Sequence, residues 1–372
     1  MERLIEIFNG NIFYHVYLIK NEKDSDWFIW NDKLSGVFSY LRNNLPISEY
    51  VQVEKYLTEK ATLISDLFHP VYGYDENGEH HLLLDNEEKN IPAYPYMSEV
   101  LKYVDNIMWK TINETGSPFI HTVEHNGDVF LLKYITSEAK VSVSGTIDII
   151  ETGAFSLSPN IEELIFEEGI KTIYTPTKHQ DKLKKISLPS TVQFIELYAF
   201  QKYHALEEVI FNGGSINFSW LTFEETPWLS NYLDKHQNQL CVECECAFYY
   251  EGSDEKLIIP EGVKYIGDFA IASCEIKEVA LPDSLELIGI SAFSYCENLE
   301  KLIIPSNVKF IGAGVFSDCP NLREFYLPAD TEMIAVSESF LGSPNVTVYG
   351  YKNNRSMQYI YNKLGVPCVF LD

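Results

Sequence analysis

Short stretches of alternating apolar and polar residues recur at a nearly constant interval in the C-terminal two thirds of the chain. The clearest copies read IKEVALPDSLELIGISAF, LEKLIIPSNVKFIGAGVF and LREFYLPADTEMIAVSESF. Each has apolar residues at L-x-x-L-x-L spacing, and alternate side chains of a strand point to the same face. Because one short strand cannot bury its own apolar face, the pattern predicts units stacked into a solenoid with a continuous core.

The prolines that follow these strands measure the repeat. Pro260, Pro282, Pro305 and Pro328 lie 22, 23 and 23 residues apart. Earlier copies begin at residues 161, 183 and 206, and the first of them is degenerate because Lys178 falls where a phenylalanine is expected. We therefore predict an α+β protein containing a β-solenoid of short parallel strands, with about 22 to 23 residues per turn.

Three regions follow from where the repeat begins and ends. Residues 1–115 lack the repeat, but they have a hairpin pattern through Asn9-Gly10 and helical spacing at 48–68 and 96–113. We therefore predict an α+β domain that caps the open first turn. Residues 116–350 are assigned to the solenoid, with an insertion at about 212–254. Residues 351–372 are assigned to a capping helix and strand.

Two outward positions in each strand carry charges that alternate in sign from one repeat to the next. Such residues would be lateral neighbours on a parallel sheet, where opposite charges contribute roughly 0.2–1 kcal/mol per pair. The single like-signed step, from Glu207 to Glu255, coincides with the predicted insertion. One row contains Glu162, Lys184, Glu207, Glu255, Lys277, Glu300 and Arg323, and the next contains Glu163, Lys185, Glu208, Lys256, Glu278, Lys301 and Glu324.

A third outward position forms a mostly apolar row, which we call the outward row. Exposed aliphatic and aromatic residues in line, bordered by charges, suit a protein or peptide partner. The alternative is that neighbouring segments cover the row. Its members are Ile165, Ser187, Ile210, Ile258, Ala280, Ile303 and Tyr326.

The repeat resembles the leucine-rich repeats of the BspA type over about residues 120–350. The residues that carry the resemblance are Leu281-Pro282 with Ile288-Gly289 and Ala292-Phe293, then Ile304-Pro305 with Ile311-Gly312 and Phe316. The end of the chain is similar to the closing element of that family. The resemblance implies a non-enzymatic interaction or adhesion-type module, and proteins of this family are mostly surface and host-interaction proteins.

The segment CVECEC at 241–246 suggests two interpretations. Cys241, Cys244 and Cys246, with His236, could bind a metal ion, as in a metal-dependent adhesin or sensor. However, residues 125–155 align without gaps with 241–271, an offset of 116, which places CVECEC on the turn signal Asn126-Gly127. We therefore favour a hairpin tip with exposed thiols and no metal.

The cysteines of the repeat have a different explanation. Cys274, Cys296 and Cys319 lie 22 and 23 residues apart, so they occupy one position in successive turns. Buried free cysteine is a common small core residue. We expect a ladder of buried thiols that react with labelling reagents after those of the tip.

Charge and motifs restrict the function further. The 372 residues carry a net charge of −26, which repels nucleic acid, and no apolar stretch is long enough for membrane insertion. No catalytic or nucleotide-binding motif is present, so we expect no enzyme activity and no cofactor. The alternative is a ligand-binding or enzymatic domain in residues 1–115, with the repeats as its partner arm. The missing signal-peptide pattern predicts a cytoplasmic location, whereas the resemblance implies the cell surface or secretion.

Overall fold

A computed structural model describes the C-terminal two thirds of the chain almost completely. It divides the chain into two compact units, residues 1–121 with 133–137 and residues 122–132 with 138–372. The position of Lys178 lies outside the described residues. The described residues are 40–41, 43–47, 49, 52, 106–107, 109–125, 127–174 and 181–371, together with the strands of the N-terminal region given next.

The N-terminal region contains two small antiparallel sheets. Strands β1 (Glu2–Asn9), β2 (Ile12–Lys20) and β3 (Trp27–Asn31) form one sheet, and β4 (Val71–Tyr74) and β5 (His80–Leu84) form the other. Asn9 is opposite Ile12, which confirms the hairpin predicted for the first 20 residues. Residues 106–107 and 109–115 are helical, within and just beyond the stretch 96–113 predicted to be helical. The other predicted helix, 48–68, lies largely outside the described residues.

The solenoid begins with a hairpin followed by turns that each contain two strands. The first strand of each turn carries the L-x-x-L pattern, and the second strand has two residues. The first-strand sheet of this block contains β8 (Lys140–Val143), β10 (Glu163–Phe166), β12 (Lys185–Leu188) and β14 (Glu208–Phe211). The second-strand sheet contains β6 (Phe119–His125), β7 (Asp128–Ile135), β9 (Ile149–Ile150), β11 (Thr172–Ile173) and β13 (Phe194–Ile195).

A second block repeats this arrangement. Its first-strand sheet contains β17 (Lys256–Ile258), β19 (Glu278–Ala280), β21 (Lys301–Ile303), β23 (Glu324–Tyr326), β25 (Thr347–Gly350) and β26 (Cys368–Phe370). Its second-strand sheet begins with the hairpin β15 (Cys241–Glu243) and β16 (Cys246–Tyr249), followed by β18 (Tyr265–Ile266), β20 (Leu287–Ile288), β22 (Phe310–Ile311) and β24 (Glu332–Met333). Apart from the hairpin, the strands pair in parallel, which confirms the predicted solenoid.

The core is built from the inward residues of successive turns. Leu302, Phe325 and Val348 are neighbours on adjacent strands and are fully buried. The rings of Phe293 and Phe316 stack with centroids 6.3 Å apart. Burying a side chain of this size contributes about 1.5–3 kcal/mol, so stacking of turns supplies the stability that a single turn lacks.

The predicted thiol ladder is confirmed. Cys274, Cys296 and Cys319 are free and buried. The Sγ atoms of Cys296 and Cys319 lie 3.1 Å from the carbonyl oxygens of Ile271 and Phe293, respectively, in the preceding turns. In the next turn the hydroxyl of Ser343 donates to the carbonyl of Phe316 at 2.6 Å, so serine takes the place of cysteine there.

The predicted insertion contains a further turn of the stack. Asn217 bridges to Phe194, and the amide of Phe200 donates to the carbonyl of Thr222 at 2.8 Å. A 3₁₀-helix at Trp220–Phe223 and the helix Pro227–Lys235, called the junction helix, follow this turn.

The first-strand sheet is interrupted at the same place. Among the described strands, β14 pairs only with β12 and β17 only with β19. The like-signed step from Glu207 to Glu255 therefore falls where the two strands are not paired.

A helix and a strand lie at the end of the chain, where the sequence pattern predicts them. A helix at Arg355–Tyr359 continues as a π-helical turn at Ile360–Leu364 and ends at Gly365, whose φ is 67°. Glycine adopts this left-handed conformation without a steric penalty, which explains why the helix stops there. In the described part of the chain, no helix is both long and apolar enough to cross a bilayer.

Candidate functional site

The members of the outward row lie side by side on the first-strand sheets. Ser187 is the lateral neighbour of Ile165 and of Ile210 in the first block, where all three are half-buried. In the second block Ile258 is 65% exposed and Ile303 is 55% exposed. The interruption between β14 and β17 divides the row, and its more exposed part belongs to the second block.

Within the second block, the row is regular. Ile258 is the lateral neighbour of Ala280, and Ile303 is the lateral neighbour of Tyr326. Ala280 and Tyr326 are half-buried, so a small side chain separates the two exposed isoleucines.

Two further residues extend the row beyond the sequence prediction. Tyr349 on β25 is the neighbour of Tyr326, and Val369 on β26 is the neighbour of Tyr349. Tyr349 in the strand VTVYG has the same phase as Tyr326. The predicted row includes only strands with the L-x-x-L-x-L pattern, which Asn345 interrupts here, so the prediction ends the row before this strand.

The two tyrosines form a stacked pair. Their ring centroids are 4.5 Å apart and their planes differ by 10°. The Nζ atom of Lys301 lies 4.9 Å from the centroid of Tyr326, a cation–π contact. The pair therefore holds two aromatic side chains in fixed positions on the sheet face.

The predicted charge alternation forms ion pairs between adjacent strands. The Lys277 ammonium lowers the pKa of the Glu255 carboxyl by hydrogen bonding, and Lys301 has the same effect on Glu324. These exposed pairs set the register of the sheet more than they stabilise it. The nitrogen–oxygen distances are 3.0 Å for Lys140–Glu163, 2.7 Å for Lys184–Glu162, 3.0 Å for Lys185–Glu208, 2.6 Å for Lys277–Glu255, 2.9 Å for Lys256–Glu278 and 2.8 Å for Lys301–Glu324.

The segment CVECEC is a β-hairpin, as predicted. β15 and β16 pair antiparallel, and the turn residues Cys244 and Glu245 have φ values of 48° and 60°. The offset of 116 holds in the strands, because Phe130 pairs with Ile149 as Cys246 pairs with Tyr265.

The gapless alignment is wrong at the turn itself. In the first copy β6 ends at His125 and β7 begins at Asp128, whereas in the second copy β15 ends at Glu243 and β16 begins at Cys246, two positions later than the offset predicts.

The exposure predicted for the tip thiols is also wrong for two of the three. Cys241 and Cys246 are buried, and only Cys244 is half-buried. Burial raises the pKa of Cys246 to about 12 and those of Cys241 and Cys244 to about 11. All three thiols are therefore weak nucleophiles at neutral pH, because the thiolate is the reactive form.

The proposed metal ligands have separate partners. The Sγ atom of Cys246 lies 3.3 Å from the carbonyl oxygen of Phe218, and that of Cys244 lies 3.7 Å from the carbonyl oxygen of Gly213. His236 stacks on the ring of Tyr232. Among the described residues, no group of three or more His, Cys, Asp or Glu side chains is arranged to hold a metal ion.

Comparison with known proteins identifies the repeat. The family model described as "BspA type Leucine rich repeat region" matches six copies over residues 130–240 and 244–363. These ranges make up more than half of the chain. No curated protein matches the chain.

Three of the solved structures that match the chain come from bacteria. A leucine rich cell surface protein from Faecalibacterium prausnitzii A2-165 is 12% identical, with a TM-score of 0.28, over 64% of this chain and 94% of that chain. A leucine-rich repeat protein from Bacteroides ovatus ATCC 8483 is 15% identical, with a TM-score of 0.26, over 69% of this chain and 98% of that chain. The pneumococcal vaccine antigen PcpA is 16% identical, with a TM-score of 0.29, over 68% and 87% of the respective chains.

Proposed function

The chain belongs to the BspA-type leucine-rich repeat family, and from this premise we propose that it is a non-enzymatic module that binds a protein partner. The binding surface is the first-strand sheet of the second block. A stacked array of strands presents a long rigid surface, which is how repeat proteins commonly bind other proteins.

One observation supports this proposal more than any other. Ile258 and Ile303 are more than half exposed although they lie on a regular sheet, and they are in line with the stacked Tyr326 and Tyr349. Apolar residues that fill no core and are aligned along one face are typical of an interaction surface.

The composition of the surface fits a protein partner. Tyrosine combines a large apolar ring with a hydroxyl group, and it is enriched among the residues that contribute most to protein interfaces. Charged pairs border the row on one side, as in an interface with an apolar centre and a polar rim.

The test compares two isoleucines with the same exposure. Ile303 and Ile334 are each 55% exposed, but Ile303 is in the outward row and Ile334 lies in a turn after β24. The wild-type chain is used to capture a partner from extracts of its native source, and the captured protein is then titrated against Ile303→Asp and Ile334→Asp. We expect Ile303→Asp to weaken binding at least about tenfold, since it places an unpaired carboxylate in an apolar contact.

Ile334→Asp serves as the matched control and should bind like the wild type. Thermal unfolding of both variants checks that the fold is intact. Equal binding by Ile303→Asp and the wild type would rule out this face as the binding surface.

A further inference from the structure

The charges on the second block suggest which protein this surface binds. We propose that its partner is a second copy of this chain, packed face to face about a twofold axis that runs parallel to the strands. This inference rests on the proposed function, because it assigns an occupant to the same surface. The contact is formed by four consecutive turns, those of β17, β19, β21 and β23.

The charged rows of these turns are complementary to themselves. A twofold axis parallel to the strands keeps each row at the same height but reverses the order of the turns. Lys256 of one copy then opposes Glu324 of the other. Glu278 of one copy opposes Lys301 of the other.

The second charged row obeys the same rule. Glu255 of one copy opposes Arg323 of the other, and Lys277 opposes Glu300. In any row that alternates in sign and has an even number of members, this rotation places each charge opposite a charge of the other sign. The interface is therefore isologous, with the same patch on both copies.

The apolar row beside the charges is complementary in size at its centre. Under the same axis the small Ala280 of one copy faces the exposed Ile303 of the other. At the two ends of the row, Ile258 of one copy faces Tyr326 of the other. Two large side chains do not meet at the centre, so the sheets can approach to the usual face-to-face distance of about 10 Å.

Net charge also favours this face over the rest of the molecule. The chain has a net charge of −26, and two copies repel each other at most orientations. The eight charged residues that the two rows contribute in these turns, however, are four basic and four acidic residues, so the net charge of the two rows is zero. They are Lys256, Lys277, Lys301, Arg323, Glu255, Glu278, Glu300 and Glu324.

The contact is small. Four strands spaced about 4.8 Å apart span only about 14 Å between the outermost strands. Interfaces of this size form weak or transient complexes, and the association therefore has to be measured at high protein concentration.

The first measurement is the sedimentation velocity of the wild-type chain up to about 1 mM, a range chosen for a weak interface. We expect a concentration-dependent dimer. The four-residue variant Lys256→Glu, Glu278→Lys, Lys301→Glu and Glu324→Lys inverts one row and keeps every ion pair between neighbouring strands. It should fold and form dimers like the wild type.

The decisive arm mixes the two proteins. Lys256→Glu in the inverted chain would face Glu324 of the wild-type chain, and the other three positions of the row would also meet like charges. Fluorescently labelled wild-type chain titrated with the inverted variant should therefore associate at least about tenfold more weakly than either protein with itself. Equal association of the mixed pair would overturn the proposed twofold arrangement.

A second variant covers the case in which the inverted chain does not fold. Ala280→Arg places a long side chain opposite Ile303 and should leave the chain monomeric. A wild-type chain that stays monomeric over the whole concentration range, or an Ala280→Arg chain that still dimerises, would also refute the inference. Neither result bears on the comparison of Ile303→Asp with Ile334→Asp against a captured partner, which tests the proposed function separately.

Discussion

Cys244 and Cys246 are the same residue type two positions apart, but their surroundings differ. Cys246 is fully buried and its thiol lies against the Phe218 carbonyl, whereas Cys244 is a half-buried turn residue. We expect Cys246→Ala to lower the free energy of unfolding by about 1–3 kcal/mol, because it removes a buried group and a hydrogen-bond donor. Chemical denaturation monitored by circular dichroism measures this change.

Cys244→Ala is the matched control for that substitution. It should change the free energy of unfolding by no more than about 0.5 kcal/mol, as is usual for positions away from the core. Equal free energies of unfolding for the two variants would show that burial of the Cys246 thiol does not stabilise the fold.

The burial of these cysteines was not predictable from the local sequence. Strand phase decides which residues share a face, but Cys246 is buried by Phe218 and its neighbours, which are 28 residues earlier in the chain. The turn also moved by two residues relative to the duplicated copy. In contrast, Cys274, Cys296 and Cys319 were predicted correctly, because their burial follows from the repeat itself.

At the level of single elements, the closing helix depends on one asparagine. Asn354 is buried, and its Nδ2 atom lies 2.9 Å from the Pro328 carbonyl oxygen and 2.7 Å from that of Thr331. Its Oδ1 atom accepts a hydrogen bond from the Met357 amide at 2.9 Å, which caps the helix. The side chain thus joins the closing element to the last turns of the solenoid.

We predict that Asn354→Ala lowers the free energy of unfolding by about 2–3 kcal/mol, since it removes a helix cap and leaves buried carbonyl groups without a donor. The adjacent Asn353 is exposed and provides a control of the same residue type. Urea denaturation of Asn354→Ala and Asn353→Ala measures the difference. A loss of stability in Asn353→Ala as large as that in Asn354→Ala would contradict this role.

The elements that the sequence predicted best are those fixed by the repeat. The strand phase around Leu302 and Phe325 follows from alternation, and the ion pairs between strands follow from the same register. The junction helix was missed, because it occupies a stretch where the repeat pattern stops and its role depends on packing. Its Trp228 packs on Phe223 with ring centroids 4.7 Å apart, a contact that repeat spacing does not encode.

At the scale of the whole molecule, the interruption between β14 and β17 decides which surface is continuous. The sequence predicted one outward row along the entire solenoid, but the row is divided between two sheets. The unit that binds a partner in this account is therefore the second sheet alone, with Tyr349 and Val369 added to its row.

Hydroxyl-radical footprinting of the free chain and of its complex with the captured protein determines whether a partner covers this sheet. We predict that binding lowers the oxidation of Tyr326 and Tyr349, because contact excludes solvent from their side chains. The exposed Tyr295, which lies in a turn outside the sheet, should be oxidised equally in both states. Unchanged oxidation of Tyr326 and Tyr349 together with protection of Tyr295 would show that the partner binds elsewhere.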